Sequence, residues 1–267
     1  MKVSVEGIWS SVKEIRDKAP VIHNITNYVV MNNSANALLA IGASPVMAHA
    51  EEEVEEMVSI AGALVINIGT LSRNWIRAMH RAADKAKKVN VPLILDPVGA
   101  GATAYRTGTA RELIEKYPPA IIRGNASEIM ALLAENTKTK GVESTASSHT
   151  AVDIARQVNN TYGSVVCVSG ETDYIVYGDD VTKVKNGHPM MTKVTGMGCI
   201  ATAMCGAFAA VNNSFSEATA QAMAVMGIAG EMAADKAPGP GTLQVGFYDA
   251  LYKLSEKDIK RYLRVEG

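Results

Sequence analysis

The sequence predicts an α/β protein in which a central, mostly parallel sheet is covered by helices on both faces. Two observations predict this fold class. From residue 63 onward, short apolar segments alternate with longer segments in which apolar residues recur at helical spacing. The short segments, such as 63–67 (ALVIN) and 92–96 (PLILD), are almost entirely apolar, which is typical of parallel strands buried on both faces. No linker-like stretch interrupts the pattern, so we expect a single domain over residues 1–267.

The N-terminal part of the chain predicts three helices and a short strand. Apolar residues at helical spacing precede Pro20, which ends the first helix, and the apolar pair 21–22 begins a strand. A second helix is closed by Gly42 and is followed by a turn at Ser44-Pro45. The acidic cluster 51–56 then opens a third helix, because negative charge is favourable in a first turn.

The regular alternation begins after this third helix. We expect strands at 63–67, 92–96, 119–123, 164–170, 173–178 and 180–187, and helices at 72–89, 106–117, 125–135, 149–160, 199–211, 216–235, 241–254 and 255–263. Short turns separate the last three strands, so we expect them to pair antiparallel and the sheet to be mixed. The polar stretch 135–148 is expected to be a surface loop or a short ordered excursion.

Composition narrows the classes of partner. A net charge of −1, with basic and acidic residues interspersed, gives no reason to expect a nucleic acid or a membrane, so small molecules are the expected partners. The chain has only three cysteines and an N-terminus without a long apolar core. We therefore expect a cytoplasmic protein.

The most informative stretch is 194–203, VTGMGCIATA. Gly196 and Gly198 precede an unbroken small and apolar run, which predicts a buried helix with these glycines at its N-terminus. Unpaired N–H groups and the helix dipole favour an anion there, and glycine lets a phosphate approach them closely. Cys199 lies in the same first turn, where we expect its thiolate to be stabilised. The alternative, in which the glycines only make a turn and Cys199 is only a core residue, stays open at this point.

Two other phosphate-binding motifs do not fit. A dinucleotide fingerprint requires a strand, a helix and an acidic residue about 20 positions on, whereas only helical sequence follows Gly198. A Gly-x-x-x-x-Gly-Lys-Ser/Thr loop is absent from the sequence, which excludes a P-loop kinase.

A second polar region lies at 23–33, where neutral hydrogen-bonding side chains are crowded together. They are His23, Asn24, Thr26, Asn27, Asn32 and Asn33. Such groups can orient a polar, uncharged organic ligand, although asparagines beside a strand end often only satisfy a turn. Met47 follows the Ser44-Pro45 turn and could supply a soft, apolar wall to the same pocket.

Further polar residues fall where predicted strands end. Asp96 enters a glycine-rich loop and can hold Mg²⁺, which prefers oxygen ligands. Arg123 is a forked donor suited to phosphate oxygens, and Asn125 and Glu128 lie at the start of the next helix. Each residue has a structural explanation when it is taken alone. Together with the Gly196–Cys199 segment they match the parts required for phosphoryl transfer: a metal, a cationic clamp, an anion hole and a group near the acceptor hydroxyl.

Four segments in this order resemble the hydroxyethylthiazole kinases of the thiamine pathway. They are HNITN and the residues that follow it at 23–48, DPVGAGAT at 96–103, RGNASE at 123–128 and VTGMGC at 194–199. The resemblance implies a ribokinase-like fold with three α/β/α layers. It also implies transfer of the γ-phosphate of ATP, with Mg²⁺, to the primary alcohol of 4-methyl-5-(2-hydroxyethyl)thiazole.

The resemblance also implies roles for single residues. It assigns Asn27, Met47 and Gly196 to the thiazole, Arg123, Ser169, Asn125 and Gly198 to ATP, Asp96 and Glu128 to the metal, and Cys199 to the neighbourhood of the acceptor hydroxyl. Met197 departs from the small residue expected between the glycines. Members of the family are similar in forming trimers with sites at subunit junctions, so the resemblance implies a homotrimer.

Three alternatives are weighed against this interpretation. A repair dehydratase or a sugar kinase would share the fold, but Cys199 and the segment 23–48 argue against both. A covalent cysteine enzyme for acyl transfer would need a base such as His23 and would leave Asp96, Glu128 and Arg123 unexplained. The last alternative is a binder of thiazole or thiamine that has lost the transfer reaction.

Overall fold

A nine-stranded sheet forms the centre of the molecule in a computed structural model that describes residues 3–133 and 148–267. The strands are β1 (Val21–Ile25), β2 (Ser44–Val46), β3 (Ala63–Asn67), β4 (Leu93–Asp96), β5 (Ile121–Asn125), β6 (Val165–Ser169), β7 (Asp173–Tyr177), β8 (Asp180–Val184) and β9 (Val265–Glu266). Their order across the sheet is β2-β1-β3-β4-β5-β6-β7-β8-β9. The pairs from β2 to β6 are parallel, and those from β6 to β9 are antiparallel. The predicted mixed sheet is confirmed.

Helices cover both faces of this sheet. They are α1 (Val5–Lys18), α2 (Met31–Ile41), α3 (Val54–Ile60), α4 (Arg73–Val89), α5 (Ala104–Lys116), α6 (Ala126–Leu133), α7 (Ser148–Tyr162), α8 (Met197–Ala209), α9 (Phe215–Ala234), α10 (Pro240–Lys253) and α11 (Glu256–Tyr262). One apolar core lies between the sheet and α1, α2 and α8 to α11, and a second core lies between the other face and α3 to α7. The three-layer α/β/α architecture predicted for the chain is therefore confirmed.

Helix α8 lies against the middle of the sheet, and its small residues allow that close approach. A Cβ atom built on Gly206 would lie 2.7 Å from Cγ2 of Val65 in β3 and 3.2 Å from Cγ2 of Ile22 in β1. The alanine and glycine content of α8 is therefore explained by packing between the sheet and α9. None of the helices in the described ranges has the length and apolarity needed to cross a membrane.

The structure corrects several element predictions. Residues 44–46 form an edge strand beside β1 rather than a turn, and Pro45 is tolerated there because an edge strand has one unpaired side. The first strand extends to Ile25, and β8 ends at Val184, before the predicted limit of 187. Sequence patterning missed the two-residue β9 and a short 3₁₀ helix at Pro189–Lys193. The predicted helix end at 135 and almost all of the predicted loop 135–148 lie outside the described residues.

Candidate active site

Strand alternation brings the polar strand ends to one face of the sheet. Val65, Ile94, Ile121 and Cys167 all belong to the core on the side of α8. Side chains two residues apart on a strand share a face, so the carboxyl-terminal positions two residues further on point the same way. Those positions are Asn67, Asp96, Arg123 and Ser169. The edge of β3 to β6 nearest the start of α8 is therefore lined by polar groups.

A chain of buried hydrogen bonds joins the segment after β1, the ends of β3 and β4, and helix α8. Asn27, two residues after β1, donates from Nδ2 to Oδ1 of Asn67 at 2.9 Å. Asn67 donates from Nδ2 to Oδ2 of Asp96 at 2.8 Å. Thr202 of α8 donates from its hydroxyl to the same Asp96 oxygen at 2.8 Å, and Asn27 Nδ2 also lies 3.6 Å from Cys199 Sγ. Asn27, Asp96 and Cys199, which the sequence assigned to one site, are thus in one contiguous cluster.

The electrostatics of Asp96 are set by burial. Its carboxyl group is 1% exposed, and burial raises its pKa to about 7. The charge of Glu128 acts in the same direction, whereas Arg123 and the hydrogen bonds from Thr202 and Asn67 oppose the shift. A carboxyl group with a pKa of about 7 is partly protonated at neutral pH. A cation bound beside it would lower this pKa and favour the ionised form.

The N-terminus of α8 has no side-chain cap. Gly196 is its N-cap residue, with φ of 85°, and offers no capping side chain. Helices α1, α4, α5, α9 and α11 begin at a serine or threonine whose side chain accepts a first-turn N–H, whereas α2, α3 and α10, like α8, have no side-chain cap. A Cβ on Gly196 would also lie 2.6 Å from Cγ1 of Val30, so glycine is required both by conformation and by packing. The prediction that the glycines mark a helix N-terminus is confirmed.

Arg123 lies directly against this first turn. A Cβ on Gly198 would be 2.9 Å from Nη1 of Arg123, so the absence of a side chain at Gly198 makes room for the guanidinium. The Nε atom of Arg123 is buried and has no hydrogen-bond partner among the described residues. An unpaired buried donor is unfavourable unless a ligand satisfies it. Arg123 and the N–H groups of α8 together form a site suited to an anion.

Cys199 is not a stabilised thiolate. Burial raises the pKa of its thiol to about 11, and the negative charge of Asp96 adds to the shift, against the hydrogen bonds from Asn67 and Asn27 and the charge of Arg123. The expectation of a thiolate stabilised by the helix N-terminus is wrong, because burial is the largest influence on the thiol and disfavours its charged form. Cys199 is therefore a neutral thiol near pH 7.

His23 is not available as a base for Cys199. Its ring is fully buried in β1, and Nε2 lies 2.9 Å from the carbonyl oxygen of Ala48. It lies next to Ile22, which faces the α8 side, so alternation directs His23 to the opposite face of the sheet. Burial also lowers its pKa. A cysteine–histidine mechanism for acyl transfer has no support in this arrangement.

Asn125 and Glu128 cap α6 reciprocally. The Oδ1 atom of Asn125 accepts from the N–H of Glu128 at 2.9 Å, and Oε2 of Glu128 accepts from the N–H of Asn125 at 2.8 Å. Oε1 of Glu128 also accepts from the N–H of Gly99, at 2.9 Å, and ties the loop after β4 to this helix. Each carboxylate oxygen keeps a second lone pair for a further donor or a cation.

The glycine-rich loop after β4 has a supporting role. Its N–H groups are occupied within the protein: Gly99 by Glu128, Ala100 by Pro97, Gly101 by Thr107 and Ala102 by Gly99. Arg106 further donates to the carbonyls of Ile68, Val98 and Gly69 at 2.8–3.1 Å. The loop is therefore held in place behind Asp96, and these four N–H groups are not free to bind a phosphate.

The remaining predicted residues lie along the same edge. Ser169 ends β6, pairs in register with Asn125, and donates to the carbonyl of Gly124 at 3.3 Å. Met47 follows β2, immediately before Ala48, and takes no part in the hydrogen-bonded cluster. Asn67 and Thr202 were not predicted from the sequence. Asn67 carries the same signal as Asp96, a polar residue at the end of a buried strand, and that signal could have identified it.

Comparisons with known proteins show which family this chain resembles. The profile of the hydroxyethylthiazole kinase family matches residues 12–257. Hydroxyethylthiazole kinase from Syntrophus aciditrophicus is 64% identical over 266 residues, which are 99% of this chain and 98% of that protein.

Solved structures agree as well. Hydroxyethylthiazole kinase from Pyrococcus horikoshii superposes with a TM-score of 0.91 at 42% identity, covering 98% of both chains. Pyridoxal kinase from Staphylococcus aureus, in complex with AMP-PCP, has a TM-score of 0.66 at 16% identity and covers 92% of this chain and 97% of that one. At that identity the similarity concerns the fold alone.

Proposed function

Because this chain belongs to the hydroxyethylthiazole kinase family, we propose that it transfers the γ-phosphoryl group of ATP to the primary hydroxyl of 4-methyl-5-(2-hydroxyethyl)thiazole at the edge of β1 to β6. The chain is a phosphotransferase, and its reaction serves thiamine biosynthesis or salvage. The observation that carries the assignment of the site is the uncapped N-terminus of α8 with the guanidinium of the half-buried Arg123 against Gly198. Phosphoryl transfer depends mainly on positioning and on neutralising charge, which these groups can supply.

We assign the nucleotide to the side of β5 and β6. Arg123 and the N–H groups around Gly198 would bind phosphate oxygens. Ser169 and Asn125 lie beside each other in register at the ends of these strands. Since both side chains can exchange hydrogen bonds with polar groups, they are suited to the remaining polar groups of ATP.

We assign the thiazole to the side of β1 and β2, with Asn27, Met47 and Gly196. Both amide hydrogens of Asn27 are directed to protein acceptors, Asn67 and Cys199, and its Oδ1 accepts from the N–H of Val29 at 3.1 Å. One lone pair of Oδ1 is left, so Asn27 is suited to accept a hydrogen bond from the substrate hydroxyl. Met47 would contact the neutral ring through its polarizable thioether.

Asp96 and Glu128 would hold Mg²⁺ together with the nucleotide. No group of three potential metal-ligating side chains occurs within residues 3–133 and 148–267. Mg²⁺ in phosphoryl-transfer sites commonly uses one or two carboxylates and takes its other ligands from phosphates and water, so this donor set fits a metal that arrives with ATP. The ion would neutralise charge that develops on the phosphate oxygens.

Direct measurement of both products tests the proposed function. Purified protein with ATP, Mg²⁺ and the thiazole alcohol should yield ADP and the phosphorylated alcohol in equal amounts, as followed by chromatography and mass spectrometry. Omission of the alcohol should leave ATP intact. Binding of the alcohol by calorimetry without any ADP formation would contradict the proposal and indicate a binder that has lost the transfer reaction.

Replacement of Cys199 distinguishes the roles open to its side chain. With a pKa of about 11, very little of the Cys199 side chain is present at pH 7 as the thiolate that could accept a proton. Cys199→Ala should therefore lower kcat by about tenfold or less. Cys199→Asp should retain good activity, because a carboxylate can accept the same proton of the alcohol and is charged at neutral pH. Steady-state kinetics of both variants, with intact mass recorded during turnover, measures this. Loss of all activity in both variants, together with a phosphocysteine adduct in the wild type, would instead indicate covalent catalysis.

Replacement of Met47 tests the thiazole pocket. Met47→Asp places a charge against a neutral ring and should raise the Kd of the thiazole alcohol at least about tenfold, with little effect on the Kd of ATP. Met57→Asp is the matched control, since Met57 is also half-buried but lies in α3. Calorimetry that gives the wild-type affinity for the alcohol in the Met47 variant would remove this residue from the pocket.

We further propose that residues 1–267 form a single domain and that three such chains assemble into a homotrimer in the cytoplasm. The support for the trimer is the similarity to the family. Sedimentation equilibrium tests it, and a mass of one or two subunits at micromolar concentration would contradict it.

A further inference from the structure

We propose that Asn67 is a positioning residue for the transfer reaction, because its side-chain amide fixes the acceptor-side Asn27 and the carboxylate of Asp96 relative to each other. The inference rests on the proposed function, which places the alcohol near Asn27 and the metal near Asp96. Asn67 itself is 1% exposed and is assigned no contact with either substrate.

The hydrogen bonds determine the orientation of the Asn67 amide. Its Oδ1 accepts from Asn27 Nδ2 and from the N–H of Gly69, both at 2.9 Å, and its Nδ2 donates to Asp96 Oδ2 at 2.8 Å. If the oxygen and nitrogen of this amide were exchanged, its NH₂ would face the N–H donors of Asn27 and Gly69, and its oxygen would face the carboxylate of Asp96. The amide therefore joins a donor on one side to an acceptor on the other, whereas an ionised carboxylate of the same shape offers acceptors alone.

The surrounding backbone is shaped for this contact. A Cβ on Gly69 would lie 2.5 Å from Asn27 Nδ2 and 2.9 Å from Asn67 Oδ1, so the loop after β3 can pass the two amides only with glycine at this position. In β4, Asp96 is the register partner of Asn67, which brings their side chains side by side on the same face. Asn67 is thus held by the loop after its own strand, by Asp96 in β4 and by Asn27 in the segment after β1.

Two substitutions separate the contact of Asn67 with Asp96 from its contact with Asn27. Asn67→Asp keeps the acceptors for Asn27 and Gly69, but it loses the donor to Asp96 and places a second negative group beside that carboxylate. It should lower kcat at least about tenfold while the KM for the thiazole alcohol changes by less than about threefold. Asn67→Ala releases Asn27 as well, so it should lower kcat and also raise the KM and the calorimetric Kd of the alcohol by roughly five- to tenfold.

Asn159→Asp is the matched control. Asn159 is also buried and makes the same kind of bridge, with Nδ2 donating to the carbonyl of Ser164 at 2.8 Å and Oδ1 accepting from the N–H of Gly178 at 2.9 Å. It lies at the end of α7, near the start of β6 and thus at the opposite edge of the sheet. Its conversion to aspartate should lower the Tm but leave kcat and both KM values within about twofold of wild type.

The outcomes are distinct. A KM for the alcohol that rises in Asn67→Ala but hardly changes in Asn67→Asp supports the inference. A purely structural role would instead change the kinetics of both variants in the same way and in proportion to their loss of stability. Wild-type kinetics in a folded Asn67→Ala variant would overturn it, as would equal KM changes in the two Asn67 variants. A wild-type protein that does not phosphorylate the alcohol would overturn the proposed function and this inference together, whereas an active wild type with unaffected variants overturns only the inference.

Discussion

Replacement of Arg123 by alanine is expected to lower kcat by about a thousandfold and to weaken ATP binding, because such clamps contribute on the order of 3–4 kcal/mol to the stabilisation of transferring phosphoryl groups. Its guanidinium lies beside Gly198, and its buried Nε has no partner among the described residues. The folded protein therefore loses no internal bond at that atom when the side chain is removed. The main effect should appear in the reaction.

Two further variants sharpen this test. Arg123→Lys keeps the charge but loses the fork, so its activity should be intermediate. Gly198→Ala adds a Cβ 2.9 Å from Nη1 and should displace the guanidinium, with a loss in the same direction. Arg77→Ala removes one positive charge from an exposed ion pair with Glu51 and serves as control. Unchanged kcat and KM for ATP in Arg123→Ala would exclude Arg123 from the nucleotide site.

Most of the fold could be predicted from the sequence because its signals are local. The strand ALVIN, apolar except for its last residue, is buried at every position of β3, and helix 72–89 lies within one residue of α4. The edge strand β2 was missed because its three residues are stabilised by pairing with β1, a contact that has no local signal. The same reason applies to β9, which pairs with β8 from the far end of the chain.

The location of the polar cluster at the candidate site was predictable from the sequence, but its electrostatics were not. Polar residues at the ends of buried strands identify Asp96 and Arg123, because parallel strands bring such ends to one edge. The pKa of Cys199 was predicted in the wrong direction, since a helix N-terminus is visible in the sequence whereas the burial of the thiol beside Asp96 is a tertiary property. The bridging orientation of Asn67 likewise depends on contacts from three separate segments.

Replacement of Asp96 by asparagine is the second variant for which we expect a large effect. The introduced amide would keep the shape of the side chain and could still accept from Thr202 and Asn67 through its oxygen, so the fold should persist. Removal of the carboxylate takes away one of the two proposed metal ligands, and kcat should fall at least about a hundredfold at fixed Mg²⁺.

Titration of Mg²⁺ at saturating ATP measures the role of this carboxylate. Asp96→Asn should need a higher Mg²⁺ concentration for half-maximal activity, and Glu128→Gln should show the same change with a smaller loss of kcat, because Glu128 is also engaged with Gly99 and Asn125. Calorimetric binding of the thiazole alcohol is the control, and it should survive in both variants because Asn27 and Met47 are intact. An unchanged Mg²⁺ requirement in a folded Asp96→Asn variant would remove Asp96 from the metal site, and the same result for Glu128→Gln would leave Glu128 only its role as the cap of α6.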